Sequence, residues 1–192
     1  MGNPGAGYAS TRHNAGFLLA DVLADRWSFP PFRRQGPVRM AEGAVGAHRV
    51  VLVKPHTYMN RSGTAVAALA AAGVAPDREL LVLVDEVAIP LGAFRLRARG
   101  SAGGHNGLRS VEASLRSRDY GRLRIGIGPV PPDLEDLTDF VLAPFARAEL
   151  ERLEPLWPLM ADAVECWLAD GIETAMTRFN QAGTRSDRPD TD

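Results

Sequence analysis

The segment ELLVLVDEVAIPLG, residues 79–92, constrains the fold of this chain more than any other segment. Its apolar, β-branched run is nearly continuous, whereas a strand with one face in water would alternate apolar and polar residues. The run therefore predicts a central strand that is buried on both faces and is followed by a turn. Asp85 stands where the apolar run ends, so a carboxylate is expected at the end of a buried strand.

Strand-like and helix-like patterns alternate along the rest of the chain. They are, in order, FLLADVLADRW (17–27, helix), HRVVLVKP (48–55, strand), TAVAALAAAG (64–73, helix), FRLRARG (94–100, strand), NGLRSVEASLRS (106–117, helix) and RLRIGIGP (122–129, strand), and beyond residue 147 the pattern is mainly helical. This order predicts an α/β fold in which one mixed β-sheet has helices on both faces, a three-layer α/β/α arrangement. Residues 1–182 are predicted to form a single domain, and residues 183–192 a flexible polar tail.

Composition argues against several classes of protein. Of the 192 residues, 45% are hydrophobic and 23% are charged, which is ordinary for a globular domain. No apolar run reaches about 18 residues and the N-terminus lacks a basic start with an apolar stretch, so we expect neither a membrane helix nor a signal peptide. Cys166 is the only cysteine, which leaves no internal disulfide and favours the reducing cytoplasm.

Positive charge is concentrated in one part of a nearly neutral chain. Residues 93–124 carry eight arginines and two acids, whereas residues 133–192 carry fourteen acids and five arginines. A basic block of this kind is typical of a surface that binds a polyanion. A bias in composition explains it equally well, because the chain has 22 basic residues of which only Lys54 is a lysine.

The candidate reactive groups are histidines and carboxamides in glycine-rich turns. They are Asn3, the pair His13-Asn14, Asn60 and the pair His105-Asn106. Histidine can act as a general base, and Asp85 bonded to its other ring nitrogen would fix its tautomer. Carboxamides can stabilise an oxyanion without carrying charge. Taken singly, each of these residues could be only a turn former or a helix cap, so the hypothesis depends on their coincidence.

The sequence offers no nucleophile in a recognisable motif. A G-x-S-x-G elbow is absent, and Cys166 lies in an apolar stretch that predicts a core thiol. Water activated by histidine is then the natural nucleophile. A metal ion is the rival explanation of a His/Asp cluster, although neither H-E-x-x-H nor C-x-x-C occurs and carboxamides are poor zinc ligands.

Five motifs together resemble the bacterial peptidyl-tRNA hydrolases. They are GNPGAGYASTRHNAGF, KPHTYMNRSGTAV, LVLVDEVAIPLG, GSAGGHNGLRS and RLRIGIGP, and two later segments, DFVLAPF and AMTRFN, are similar as well. The resemblance implies hydrolysis of the ester between a peptide and tRNA, which recycles tRNA from prematurely released chains. It also implies an enzyme that uses water and needs no metal or other cofactor, is usually monomeric, and has no membrane partner.

The resemblance assigns roles to individual residues of this chain. His13 corresponds to the catalytic base and Asp85 to the aspartate that orients it. Asn3, Asn60 and Asn106 correspond to the carboxamides that bind the peptide and position substrate and water.

Four further residues correspond to contacts with the substrate. His105 matches a motif histidine near the site, and Tyr8 matches a residue that holds substrate. Arg95 and Arg124 correspond to basic residues that bind tRNA phosphate, and both belong to the arginine-rich block. A non-catalytic RNA-binding protein with the same fold and a metal-dependent hydrolase are the alternative functions.

One departure from the family pattern concerns the N-terminus. Family members usually begin with a short apolar strand that leads into the turn containing Asn3, and here Met1 stands at the end of that strand. The first strand is therefore expected to be missing, with the true start upstream. Such a strand would supply sheet hydrogen bonds and apolar burial, so we expect a version that includes it to be more stable.

Overall fold

The computed structural model describes residues 1–180, so the tail predicted for residues 183–192 lies outside the described residues. The strands are β1 (Arg33–Gln35), β2 (Val38–Val45), β3 (His48–Pro55), β4 (Leu81–Pro90), β5 (Phe94–Arg99) and β6 (Asp119–Gly128). The α-helices are α1 (Ala15–Arg26), α2 (Gly63–Ala71), α3 (Pro76–Glu79), α4 (Asn106–Leu115), α5 (Leu137–Leu142), α6 (Arg147–Leu153), α7 (Leu156–Asp170) and α8 (Ile172–Phe179). Among these helices, none combines the length and apolar character that crossing a membrane requires.

The strands form two sheets, and the domain is α/β. One sheet is antiparallel with the order β1-β2-β3, and the other is mixed with the order β4-β6-β5. In the mixed sheet β4 runs parallel to β6, whereas β5 runs antiparallel to it. A mixed sheet is confirmed, but the prediction of one sheet is wrong for the described residues, because no ladder joins β3 to β4.

The first two strands were not predicted, because β1 has only three residues and β2 lacks a regular alternation. β1 and β2 are joined by Gly36-Pro37, and β2 and β3 by Gly46-Ala47, so each connection is a two-residue hairpin loop. Gly36 and Gly46 both have positive φ, at 56° and 58°, as tight hairpins require at this position. These glycines were the available signal, whereas the flanking residues alternate only weakly between buried and exposed.

The mixed sheet has apolar residues on both of its faces. In β4, Val82 and Val84 belong to a buried cluster with residues of α2 and α4. The alternate residues Leu81 and Leu83 pack instead against a larger cluster with residues of α1, α7 and α8. Because successive side chains of a strand point to opposite faces, these two clusters cover the two faces of β4.

The N-terminal turn is tied directly to β4. The amino group of Met1 donates a hydrogen bond to the carbonyl of Leu83, and the Met1 side chain lies in the cluster shared with α2 and α4. Burial lowers the pKa of this amino group to about 5. No strand precedes Arg33 in residues 1–180, so the segment that contains Asn3 follows an irregular path.

Close packing of α2 on α4 depends on Gly63. A Cβ atom added at Gly63 would lie 2.1 Å from the carbonyl oxygen of Ser110 and 2.3 Å from Oγ of Ser114. The backbone N–H of Gly63 also donates to Oγ of Ser110 at 3.0 Å. The start of α2 therefore packs on the middle and the last turn of α4 at a distance that only glycine allows.

We predict that Gly63→Ala lowers the free energy of unfolding by about 1–3 kcal/mol, because the added methyl must push α2 away from α4. Chemical denaturation monitored by circular dichroism measures this loss. Gly7→Ala is the matched control, since a Cβ atom at Gly7 would meet no atom within 4 Å. Equal stability of the Gly63 variant and wild type would show that the two helices can separate at no cost.

Candidate active site

Asp85 is the centre of the site, and it binds two histidines. Its side chain is buried, with the residue only 3% exposed. Oδ2 lies 2.8 Å from Nδ1 of His13, and Oδ1 lies 3.0 Å from Nε2 of His105. The two imidazole rings are tilted at 45° with their centres 4.9 Å apart. One carboxylate thus fixes two rings that come from segments far apart in the sequence.

The hydrogen bonds of His105 determine its tautomer. Its Nδ1 accepts from the backbone N–H groups of Gly107 and Leu108, at 3.1 and 3.2 Å, and so caps the N-terminus of α4. An atom that accepts these bonds carries no proton, so the proton of the neutral ring is on Nε2 and is donated to Asp85. Gly103 and Gly104 precede this cap with φ of 55° and 87°, which explains the two glycines in the loop.

His13 has the complementary arrangement. It lies in a short 3₁₀ helix, Arg12–Asn14, that leads directly into α1. Because Asp85 is an acceptor, Nδ1 of His13 carries the proton of this hydrogen bond, and Nε2 keeps its lone pair. Within residues 1–180, Nε2 makes no hydrogen bond, so its lone pair is available to a proton donor.

The environment of Asp85 keeps it ionised. Burial alone would raise its pKa, but the electrostatic interaction and hydrogen bond with the imidazole of His105, followed by those with His13, outweigh burial. The pKa of Asp85 therefore lies well below its ordinary value. A permanently charged carboxylate can stabilise positive charge that develops on the neighbouring imidazole of His13.

Asn3 is held close to the site by a second polar network. The side chain of Asn14 accepts from the backbone N–H of Asn3 at 2.8 Å and donates to its carbonyl at 3.0 Å. The side-chain oxygen of Asn3 accepts from the N–H of Met59 at 2.7 Å. This bond identifies its Nδ2 as the free end, and Nδ2 has no partner among the described residues. Asn14 was a candidate carboxamide to which the family resemblance assigned no role, and in the structure it holds the backbone of Asn3.

A partly buried ion pair secures the turn that carries His13. The guanidinium of Arg12 donates to both carboxylate oxygens of Glu149, at 3.2 and 2.7 Å. It also donates to the carbonyls of Phe140 and Ala143 at 3.2 and 3.4 Å. These bonds connect the 3₁₀ helix of His13 to α5 and α6. The pairing itself could not be predicted from sequence, since nothing local to Arg12 indicates a partner 137 residues away.

The remaining predicted substrate residues lie on neighbouring turns. Tyr8 packs edge-on against the exposed ring of Tyr58, with ring centres 6.4 Å apart. Asn60 is exposed and follows Met59, the residue whose N–H binds Asn3. Asn106 is exposed, directly follows His105, and accepts from Arg109 at 2.9 Å. Ser62 occupies the N-cap position of α2, but its side chain makes no capping hydrogen bond to that helix.

The two predicted phosphate ligands face each other on adjacent strands. Arg95 of β5 is the register partner of Arg124 of β6. Arg95 is exposed, and its side chain makes no hydrogen bond among residues 1–180. Arg124 forms an ion pair with Glu86 at 3.0 Å and donates to the carbonyl of Ser101 at 3.1 Å. The structure does not connect either arginine directly to His13 or Asp85.

The central cluster also has a composition that metal ions bind. Three potential ligand atoms lie within 4.8 Å of one another, one each from His13, Asp85 and His105. In the observed hydrogen-bond pattern, however, Nδ1 of His13 and Nε2 of His105 both donate protons to Asp85. A metal ion would have to displace both protons, so the arrangement fits a hydrogen-bonded His-Asp-His cluster better than a ligand set.

Comparison with known proteins agrees with this geometry. The peptidyl-tRNA hydrolase family matches the chain over residues 1–187. A peptidyl-tRNA hydrolase of Gemmatimonas aurantiaca is 49% identical over 184 residues, covering 94% of this chain and 97% of that protein. One from Gloeobacter violaceus is 49% identical over 183 residues, covering 94% and 91%.

Solved structures give the same result. The crystal structure of peptidyl-tRNA hydrolase from Acinetobacter baumannii superposes with a TM-score of 0.86 at 34% identity, covering 93% of this chain and 91% of that one. A peptidyl-tRNA hydrolase in complex with N-propanol has a TM-score of 0.87 at 33% identity, covering 94% and 91%. With the family matched along nearly its whole length, this chain belongs to the peptidyl-tRNA hydrolases.

Proposed function

We propose that His13 is the general base with which this chain hydrolyses the ester of peptidyl-tRNA. The observation that carries the proposal is the hydrogen bond from Nδ1 of His13 to Asp85, which leaves the lone pair of Nε2 free. Nε2 takes a proton from water as the water oxygen attacks the ester carbonyl. The imidazolium that forms is stabilised by the charge of Asp85.

The reaction is completed by returning the proton. The tetrahedral intermediate collapses, the bond between the carbonyl carbon and the ribose oxygen breaks, and the imidazolium of His13 protonates that oxygen. The products are a peptide with a free carboxylate and a tRNA with a free hydroxyl. The ribose alkoxide is a better leaving group than an amide nitrogen, so one activated water suffices and no covalent enzyme intermediate is needed.

Asparagine side chains are proposed to bind the substrate around His13. The Nδ2 group of Asn3 is the best candidate for stabilising the oxyanion. The N–H of Met59 already binds Oδ1 of the same amide, which fixes the orientation of the side chain and leaves Nδ2 free to donate. Asn60 and Asn106 would position the peptide and the attacking water, and Tyr8 would hold the peptide end. His105 acts through Asp85, since both of its ring nitrogens are engaged in hydrogen bonds.

Arg95 and Arg124 are proposed to bind a phosphate of the tRNA. Like charges that face each other across two strands are unfavourable, and Glu86 offsets the charge of Arg124 only. The exposed guanidinium of Arg95 therefore leaves a positive charge that a phosphate can neutralise, and arginine can bind phosphate with two hydrogen bonds.

The assembly and location of the enzyme are also proposals. His13, Asp85, His105 and Asn3 come from one chain, which supports a monomer as the active unit. The two apolar clusters support a three-layer α/β/α domain over residues 1–182. A cytoplasmic location follows from the expected substrate, because tRNA released from ribosomes is found there.

We predict that His13→Ala lowers kcat for peptidyl-tRNA by at least ~10²-fold while tRNA binding is retained, because a general base acts in the transition state. Release of labelled peptide and a filter-binding assay measure the two quantities. His48→Ala, which removes an exposed histidine at the start of β3, is the control. Full activity of the His13 variant would refute the assignment.

The metal alternative is tested in the same assay. Treatment of the wild-type protein with EDTA should leave the rate unchanged, because His13 needs no metal to activate water. A loss of activity that added zinc restores would support a metal-dependent hydrolase built on the His13, Asp85 and His105 cluster.

We predict that two substitutions of His105 separate its role as the N-cap of α4 from its role as a hydrogen-bond donor to Asp85. His105→Ala should lower the free energy of unfolding by about 0.5–2 kcal/mol because α4 loses its cap, whereas His105→Asn keeps a good capping oxygen. Both variants should lower kcat, since Asp85 loses one hydrogen-bond donor in each. Denaturation curves and hydrolysis rates are compared for the two proteins. A fully active Asn variant would mean that only the cap matters.

We predict that Arg95→Ala and Arg124→Ala each weaken tRNA binding and lower the salt dependence of log K by about 0.7–0.9 per lost phosphate contact. Short ester substrates without the tRNA body should be affected less. Arg49→Ala is the control, because Arg49 is exposed on the other sheet. An unchanged salt dependence in both variants would show that the basic block is only a solvated surface.

A further inference from the structure

Arg122 is a completely buried arginine with unusual partners. It lies in β6 and is 0% exposed, yet no carboxylate pairs with it among residues 1–180. Nη1 donates to the carbonyls of Gly100 and Ser101 at 2.7 and 3.2 Å, and Nη2 donates to the carbonyl of Arg118 at 3.1 Å. The guanidinium also stacks on Tyr120, with its carbon 4.2 Å from the ring centre. Backbone oxygens therefore bind both of its terminal nitrogens and an aromatic ring covers its face, whereas Nε has no hydrogen-bond partner among the described residues.

Burial of this charge is costly, which suggests that the side chain has a specific role. Removing an arginine from water without a carboxylate carries a large desolvation penalty, and burial accordingly lowers the pKa of Arg122. A neutral side chain of similar size would fill the same space without that penalty. The three carbonyls that Arg122 binds indicate what the charge provides.

These carbonyls mark both ends of the segment that carries His105. Gly100 and Ser101 follow β5 and begin the glycine-rich loop, and Arg118 follows α4 and precedes β6. One guanidinium thus holds together the beginning and the end of residues 100–118. Between these two points, His105 caps α4 and donates to Asp85. The position of His105 relative to Asp85 therefore depends on where this loop is anchored.

The same anchor is shared with the proposed phosphate site. The carbonyl of Ser101 accepts from both Arg122 and Arg124. If a phosphate draws Arg124 outward, Ser101 loses one of its two donors. Arg122 has no access to solvent and would keep the loop in place while the substrate binds.

We propose that Arg122 is a positioning residue for hydrolysis, which holds the loop from Gly100 to His105 so that His105 keeps Asp85, and through it His13, in the productive orientation. The inference rests on the proposed function of His13. It assigns to a buried side chain a role in catalysis that requires no contact with the substrate.

The test uses two variants of Arg122. Arg122→Met removes the hydrogen-bond donors at similar side-chain volume. Arg122→Lys keeps the positive charge but lacks the two terminal nitrogens with which the guanidinium reaches separate carbonyls. The substrate is an N-acylaminoacyl ester of adenosine, so that contacts with the tRNA body do not contribute. We expect kcat to fall about 10–10²-fold in the Met variant with KM nearly unchanged, because small displacements of reacting groups cost rate. The Lys variant should show a smaller loss of kcat. Arg99→Met, an exposed arginine of β5, is the control and should have the rate of wild type.

Proton NMR of the imidazole N–H groups supplies a readout that simple loss of stability would not change. The protons that His13 and His105 donate to Asp85 should shift in both Arg122 variants and remain unchanged in Arg99→Met. If Arg122→Met does not fold, the kcat and the imidazole signals of Arg122→Lys test the proposal. Wild-type kcat and unchanged imidazole signals in a folded Arg122 variant would overturn the inference. The NMR comparison needs no turnover, so failure of the proposed hydrolysis in wild type would be recognised separately.

Discussion

The site depends on one buried carboxylate that accepts two imidazole protons. Asp85 binds His13, which precedes α1, and His105, which begins α4, so it joins two segments that are 92 residues apart. The bonds made by His105 to the backbone of α4 determine where its proton lies, and the bond from His13 to Asp85 leaves Nε2 of His13 as a base. Neither property belongs to a single residue. Both follow from the order in which donors and acceptors are arranged around one charge.

Much of the surrounding structure serves to hold these three side chains in place. Arg12 and Glu149 connect the turn of His13 to the C-terminal helices, and Asn14 holds the backbone of Asn3 on both sides. Arg122 binds the loop that leads to His105. Such buried polar networks contribute less to net stability than apolar burial does, because each charge must lose its water. Their benefit is geometric, since they restrict each functional group to one orientation.

The elements with strong local patterns could be predicted from sequence. The buried strand β4, the strand β3 and the helix α4 were expected at nearly their observed bounds, because continuous apolar runs and periodic patterns reflect burial directly. The hairpin of β1 and β2 was missed, since β1 has only three residues, all exposed, and β2 does not alternate regularly between buried and exposed residues. The prediction of one sheet was wrong because pairing between distant strands depends on backbone contacts that no local pattern encodes.

Residue types alone establish which chemical groups are available: histidines and carboxamides in glycine-rich turns, an aspartate at a strand end, and an arginine-rich block. Glycine permits tight turns through local backbone geometry, and residue type determines charge and hydrogen-bonding capacity. These features can therefore be predicted from the sequence without knowledge of the tertiary structure. The folded chain is needed to establish that His105 and His13 share Asp85, that Arg12 pairs with Glu149, and that Arg122 is buried against three carbonyls. These contacts link residues from 4 to 137 positions apart, and their partners are often backbone atoms, which every residue possesses. Proton location and orientation at the site arise from those contacts, so they are properties of the folded chain.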